Sequence, residues 1–136
     1  MRYRRMIAPA ILATAAMLSA SSPRVSALKW ERRILLVCAR SADDPALQQQ
    51  RRIVASWKAG ATERDLIIVE IVGEKVVGAS DRADALRRRY DLPTDAFAVI
   101  LIGKDGGTKL RRTEPIPAVT LEGTIDAMPM RRGGGR

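Results

Sequence analysis

Three short apolar runs constrain this chain more than any other feature. Arg33–Ala39 (Arg-Ile-Leu-Leu-Val-Cys-Ala), Leu66–Val72 and Phe97–Gly103 (Phe-Ala-Val-Ile-Leu-Ile-Gly) are almost continuously apolar instead of alternating with polar residues. Each is too short for a stable helix and too evenly apolar for a sheet with one wet face. Arg33–Ala39 therefore reads as a buried strand and the other two as apolar strands of the same small α/β domain.

The segments between them supply helices. Asp44 suits an N-cap and Pro45 the first helical position, where its missing N–H costs nothing. From Pro45 to about Ala59, the residues Ala46, Leu47, Gln50, Ile53, Val54 and Trp57 fall along one side, with Gly60 placed to close the helix. Gly73 to Ser80 reads as a loop. A shorter helix starts at Ser80 or Asp81 and runs through Tyr90, with Ala83, Leu86 and Tyr90 on one face. Asp105-Gly106-Gly107 tolerates positive φ and reads as a hairpin turn, so Thr108–Arg112 pairs back as a fourth strand. After Pro115 and Pro117, a last helix from about Ala118 to Ala127 groups Val119, Leu121, Ile125 and Met128, and Pro129 ends it. The order is β-α-β-α-β-β-α, which predicts one small α/β domain with a mixed four-stranded sheet, the order of a minimal thioredoxin-like fold. A small doubly wound fold would need another helix where the Asp105-Gly106 turn stands. The domain is placed at residues 28–130, with a disordered arginine-glycine tail at 131–136.

The first 27 residues read as an export signal. Arg2, Arg4 and Arg5 form a basic start, Met6 to Ala20 is an apolar stretch without charge, and Val25-Ser26-Ala27 offers the small-residue pattern for cleavage after Ala27. The apolar stretch is shorter than the ~20 residues of a spanning helix, and Pro9 interrupts it, so a cleaved signal fits better than a retained anchor. Val37 before Cys38 is too large for lipoprotein processing, and the surroundings of Arg4-Arg5 fit the twin-arginine motif poorly. The expected address is the periplasm or the exterior, with no stable membrane insertion after cleavage.

Composition removes several function classes. The chain has 24 lysines and arginines against 15 acids, and losing residues 1–27 would take four of the basic ones and no acid, leaving about +5. There is no histidine, which excludes Ser-His-Asp and Cys-His catalysis, histidine-ligated metals and the usual pH switch. There is one cysteine, which excludes an internal disulfide and a Cys-x-x-Cys pair.

Trp30, Arg33–Ala39 followed by Ser41-Ala42-Asp43-Asp44-Pro45, Gly103-Lys104-Asp105-Gly106-Gly107, and Ile125-Asp126-Ala127-Met128-Pro129-Met130-Arg131-Arg132 together resemble the bacterial domain of unknown function 4174 family. That family is similar to the DUDES domains of animal extracellular proteins. The resemblance spans Leu28 to Arg132 and implies an exported, thioredoxin-like, peroxiredoxin-related fold without an established activity, substrate or partner. Working thioredoxins place reactive cysteines where this chain has Asp43, Asp44 and Pro45. They also set a cis-proline before the third strand, where this chain has Ala96 and Phe97, Pro93 lying too early. The threonine, cysteine and arginine set of peroxiredoxins is missing from the same helix start.

Few residues remain as candidates. Cys38 is the only thiol, and its place within an apolar strand points to an inert core residue, against a single-cysteine redox or peroxide reaction. Asp43 and Asp44 point to helix capping, against a divalent-cation or acid–base site. Lys104-Asp105-Gly106-Gly107 lacks the strand–loop–helix context of a phosphate loop. Arg87-Arg88-Arg89 reads as a solvated helix face with an Asp84–Arg88 pair. Trp30 is expected to pack over the edge of the core. Arg111-Arg112 and the tail suit an anionic surface, but the few aromatics and the expected export argue against nucleic acid. The sequence thus favours a non-catalytic module without cofactor that binds another protein or an envelope component. The alternative is thiol chemistry at Cys38.

Overall fold

A computed structural model describes residues 22–129. The expected signal up to residue 21 and the expected tail at 131–136 lie outside the described residues. The described residues form a mixed five-stranded sheet with four helices. The strands are β1 (Arg33–Ala39), β2 (Leu66–Val72), β3 (Lys75–Val77), β4 (Ala98–Ile102) and β5 (Thr108–Arg112). The helices are α1 (Pro45–Ser56), α2 (Lys58–Glu63), α3 (Ala83–Tyr90) and α4 (Ala118–Asp126), preceded by a 3-10 turn at Val25–Leu28.

The sheet order is β3-β2-β1-β4-β5. β1 is central, parallel to β2 (Leu36 opposite Val69) and antiparallel to β4 (Leu36 opposite Ile100). Every residue of β1 and β4 is buried, as continuous apolar runs require. Alternate side chains feed two cores. Ile34, Leu36 and Cys38 of β1 join Leu86 and Tyr90 of α3 and Val25 and Leu28 of the 3-10 turn. Leu35, Val37 and Ala39 face the other way, onto Leu47 of α1, Ala61 of α2 and Leu121 and Ile125 of α4. Gln50 on α1 locks this second layer: its amide donates to the Ile116 carbonyl (3.1 Å) and accepts from the Ile116 N–H (2.7 Å).

Four features depart from the sequence reading. The sheet has five strands instead of four, because Lys75–Val77, inside the expected Gly73–Ser80 loop, pairs antiparallel with β2 around a tight turn in which Gly73 takes φ +59°. The first helix does not run on to Ala59: it stops at Ser56, Trp57 breaks it, and Gly60 lies inside α2 instead of closing α1. A Cβ at Gly60 would lie 2.1 Å from Trp57 Nε1, so glycine there lets the indole fold back onto α2. Val119 points to solvent, at 75% exposure, while Leu121, Ile125 and Met128 are buried. Finally, the packed domain starts before Leu28. Val25 is 3% exposed, its N–H donates to Asp81 Oδ1 (2.8 Å), and the Pro23 carbonyl accepts from Ser80 N–H (3.0 Å).

The outer strands differ, β5 being polar and β3 mostly apolar, with Val77 exposed. β5 is exposed and carries Lys109, Arg111 and Arg112, and β3 offers Lys75. Arg111 also donates to the carbonyls of Tyr90 and Asp91, tying the sheet edge to the end of α3.

Candidate functional site

Two places deserve comparison, one at each end of β1. At its C-terminal end, Asp44 caps α1: its side chain accepts from Ala46 N–H at 2.8 Å, with Pro45 at the first helical position. Asp43 accepts from the Ser41 hydroxyl, and this bond, helped by the backbone and Arg40, holds its carboxyl below the usual range. Among the described residues, no group of three or more His, Cys, Asp or Glu could hold a metal ion.

Cys38 lies beneath this end, fully buried. Its thiol donates to the Pro93 carbonyl at 3.2 Å, the same oxygen that accepts from Arg87 Nε at 3.2 Å. Burial pushes the thiol up from its ordinary value, and the neighbouring Arg87 guanidinium offsets this only in part. Burial and the direction of this shift both disfavour the thiolate, the form that reacts. Arg87 was expected on a solvated helix face. Instead it is 6% exposed, with Nη2 donating to the Gly73 carbonyl at 2.6 Å. A carbonyl on each flanking loop gives its guanidinium partners inside the fold, whereas the Asp84–Arg88 pair lies outside as expected, at 3.4 Å.

The other end of the sheet holds a cavity of about 490 Å³ between the start of β1, the β4–β5 hairpin and the end of α4. Trp30, Ala127, Met128 and Pro129 give it apolar walls, and Arg33, Lys104 and Lys109 bring positive charge. Trp30 is 59% exposed and takes φ +73°, which a bulky side chain rarely adopts. It stands at the cavity mouth and does not cover the core edge. Its N–H donates to the Lys104 carbonyl, and Lys29 Nζ lies 5.3 Å from its ring centroid. Lys104 is buried, with Nζ 2.8 Å from Asp65 Oδ2. That bond, reinforced by the charges of Lys104, Arg32 and Arg33, keeps the Asp65 carboxyl below its usual range. Asp65 is itself held at φ +53°. Arg33 is also buried, donating to the Arg64 carbonyl (2.7 Å) and to Met128 Sδ (3.4 Å). Arg64 fixes the far wall: its Nε and Nη2 reach both oxygens of Asp126 (2.9 and 3.0 Å), and Nη2 reaches Glu122 (2.7 Å) on α4.

The profile of a family described only as a domain of unknown function, DUF4174, matches residues 24–133. The chain belongs to the DUF4174 family. Of the segments that carried the DUF4174 resemblance in the sequence, Trp30, Arg33–Ala39 through Arg33, Gly103–Gly107 and Ile125–Arg132 contribute residues to this cavity, whereas Ser41–Pro45 does not. The DUF4174 match also begins before Leu28, as does the packed domain. A solved structure of a malarial protein is similar over 70% of this chain and 94% of its own, with a TM-score of 0.52 and 13% identity. At that identity the likeness concerns the fold alone. Sequence reasoning singled out neither the cavity nor the burial of Lys104, Arg33 and Arg87.

Proposed function

We propose that this chain is an exported, thioredoxin-like module without redox chemistry, whose role is binding to another protein or an envelope component. The burial of Cys38 carries this reading. The sole thiol of the chain is fully enclosed, bonded to a carbonyl and shifted by burial away from its thiolate form. The parallel β1–β2 pair, the antiparallel β4–β5 hairpin and α1 following β1 support the thioredoxin-like assignment. The position where thioredoxins react is occupied by a helix cap, Asp44-Pro45. The basic start and apolar stretch of residues 2–20 support export. No helix among the described residues is long and apolar enough to cross a membrane.

Thiol labelling of the folded protein against pH tests the reading. Cys38 is expected to resist a small thiol reagent until denaturant is added. Rapid labelling with a midpoint well below ~8.5 would identify an activated thiolate and replace the binding role with single-cysteine chemistry. Cell fractionation tests export separately, and protein confined to the cytoplasm would overturn it.

A further inference from the structure

We propose that the Trp30 cavity binds a small aromatic carboxylate, its ring against Trp30 and Met128 and its anionic group on Lys109. This goes beyond the binding role proposed above, which concerns another protein or an envelope component. The volume of about 490 Å³ suits a small ligand, and apolar walls with a few placed polar groups are the usual makeup of such sites. Three cationic side chains, Arg33, Lys104 and Lys109, stand around it against two carboxylates, Asp105 on Lys109 and Asp65 on Lys104, a balance that still leans towards an anion. The cations divide by role. Lys104 is buried and its charge is answered by Asp65, so it holds the cavity wall and leaves the ligand's anionic group to Lys109. Lys109 is one-third exposed, and its Nζ lies 2.7 Å from a half-exposed Asp105, a weak pair that a ligand carboxylate can replace. Asp105 is not stranded by that exchange, because it also accepts from Gly107 N–H at 3.0 Å. Trp30 adds the second argument. Its positive φ and exposure place a strained aromatic side chain at the mouth of a cavity, where it covers little of the core.

Calorimetric titration of the purified chain with 1-naphthoate, 1-naphthylmethanol and 1-naphthylmethylamine tests the proposal. Naphthoate should bind with a Kd of about 1 mM or tighter, and about tenfold more tightly than the alcohol or the amine. Lys109→Met should erase that preference while retaining the alcohol's affinity. Trp30→Gly should weaken all binding by about fivefold or more, without lowering the melting temperature, because glycine relieves the positive φ. Equal or better binding of the alcohol or amine, no heat with naphthoate, or unchanged affinity in both variants would overturn the proposal. An unreactive Cys38 together with absent naphthoate binding would remove this ligand and leave the binding role standing. A reactive Cys38 would remove the role itself.

Discussion

The strap ahead of β1 offers the sharpest test of the packing argument. Consider a chain beginning at Leu28 against one beginning at Ser22. The deletion uncovers the pocket of Val25, which is 3% exposed, removes the Val25 N–H bond to Asp81 and leaves Ser80 N–H without the Pro23 carbonyl. It also puts an ammonium group on Leu28, which is 8% exposed. Valine burial contributes about 2 kcal/mol, the two hydrogen bonds about 2–3 together, and the lost cover over Leu28 about 1, for a gross of roughly 6. Holding the backbone of Arg24–Ala27 opposes this by about 1 kcal/mol per residue, leaving a net of about 2. Urea unfolding should show this difference, with a melting temperature lower by about 8 °C. Val25→Ala in the longer chain removes about 2 kcal/mol of burial, and it can cost no more than the deletion, because a weakened strap can detach. Midpoints for the two chain lengths within about 0.3 kcal/mol of each other would refute the reasoning, as would a Val25→Ala cost clearly above that of the deletion. The same result bears on processing. If export removes the leader, the intact mass of the mature protein should place its first residue before Pro23, whereas a start at Leu28 would discard the strap.

Three further outcomes follow from the geometry. Asp44→Ala should cost about 1 kcal/mol through loss of the α1 cap, and Asp43→Ala clearly less, read by urea unfolding; equal losses would refute the assigned capping role. Arg87→Met should destabilise by about 3 kcal/mol, since the Gly73 and Pro93 carbonyls lose a buried charged donor, and should raise the Cys38 pKa further in thiol titration. The Asp65 carboxyl is depressed in the folded state by Lys104, so the stability it contributes is present above the unfolded aspartate pKa, near 3.9, and is lost as pH falls through the lower folded value. Lys104→Met should therefore flatten the fall in unfolding free energy between about pH 5 and pH 2, and an unchanged slope would discount the pair.

The central strands were legible because their burial is written as apolar continuity. The cap at Asp44-Pro45 was legible because it is local chemistry. What was hidden depends on distant partners. β3 is three residues long and exists only through pairing with β2, although Gly73 before Glu74 was a usable sign of a tight turn. The break at Trp57 depends on an indole lying over Gly60, which helical periodicity does not encode. The cavity was hidden for the same reason. Trp30, Lys104 and Met128 are far apart in sequence and meet only because β1 and β4 pair and Arg64 holds α4 in place. Strand-flanking cations such as Arg33 and Lys104 look like ordinary surface charges until a neighbouring carbonyl or carboxylate takes them inside.

The outer edge of β5 has a consequence for how copies of this protein meet. A free strand edge offers hydrogen bonds to almost any extended segment, whatever its side chains. Here the edge carries Lys109, Arg111 and Arg112, so a second copy approaching by the same edge brings cation against cation. That repulsion has a reach set by the ions in solution, about 10 Å at 0.1 M and about 3 Å at 1 M. Concentrated salt should thus unmask the edge, and a solution kept monodisperse at low ionic strength should begin to associate as salt is raised. An acidic strand would meet no such barrier at any salt concentration.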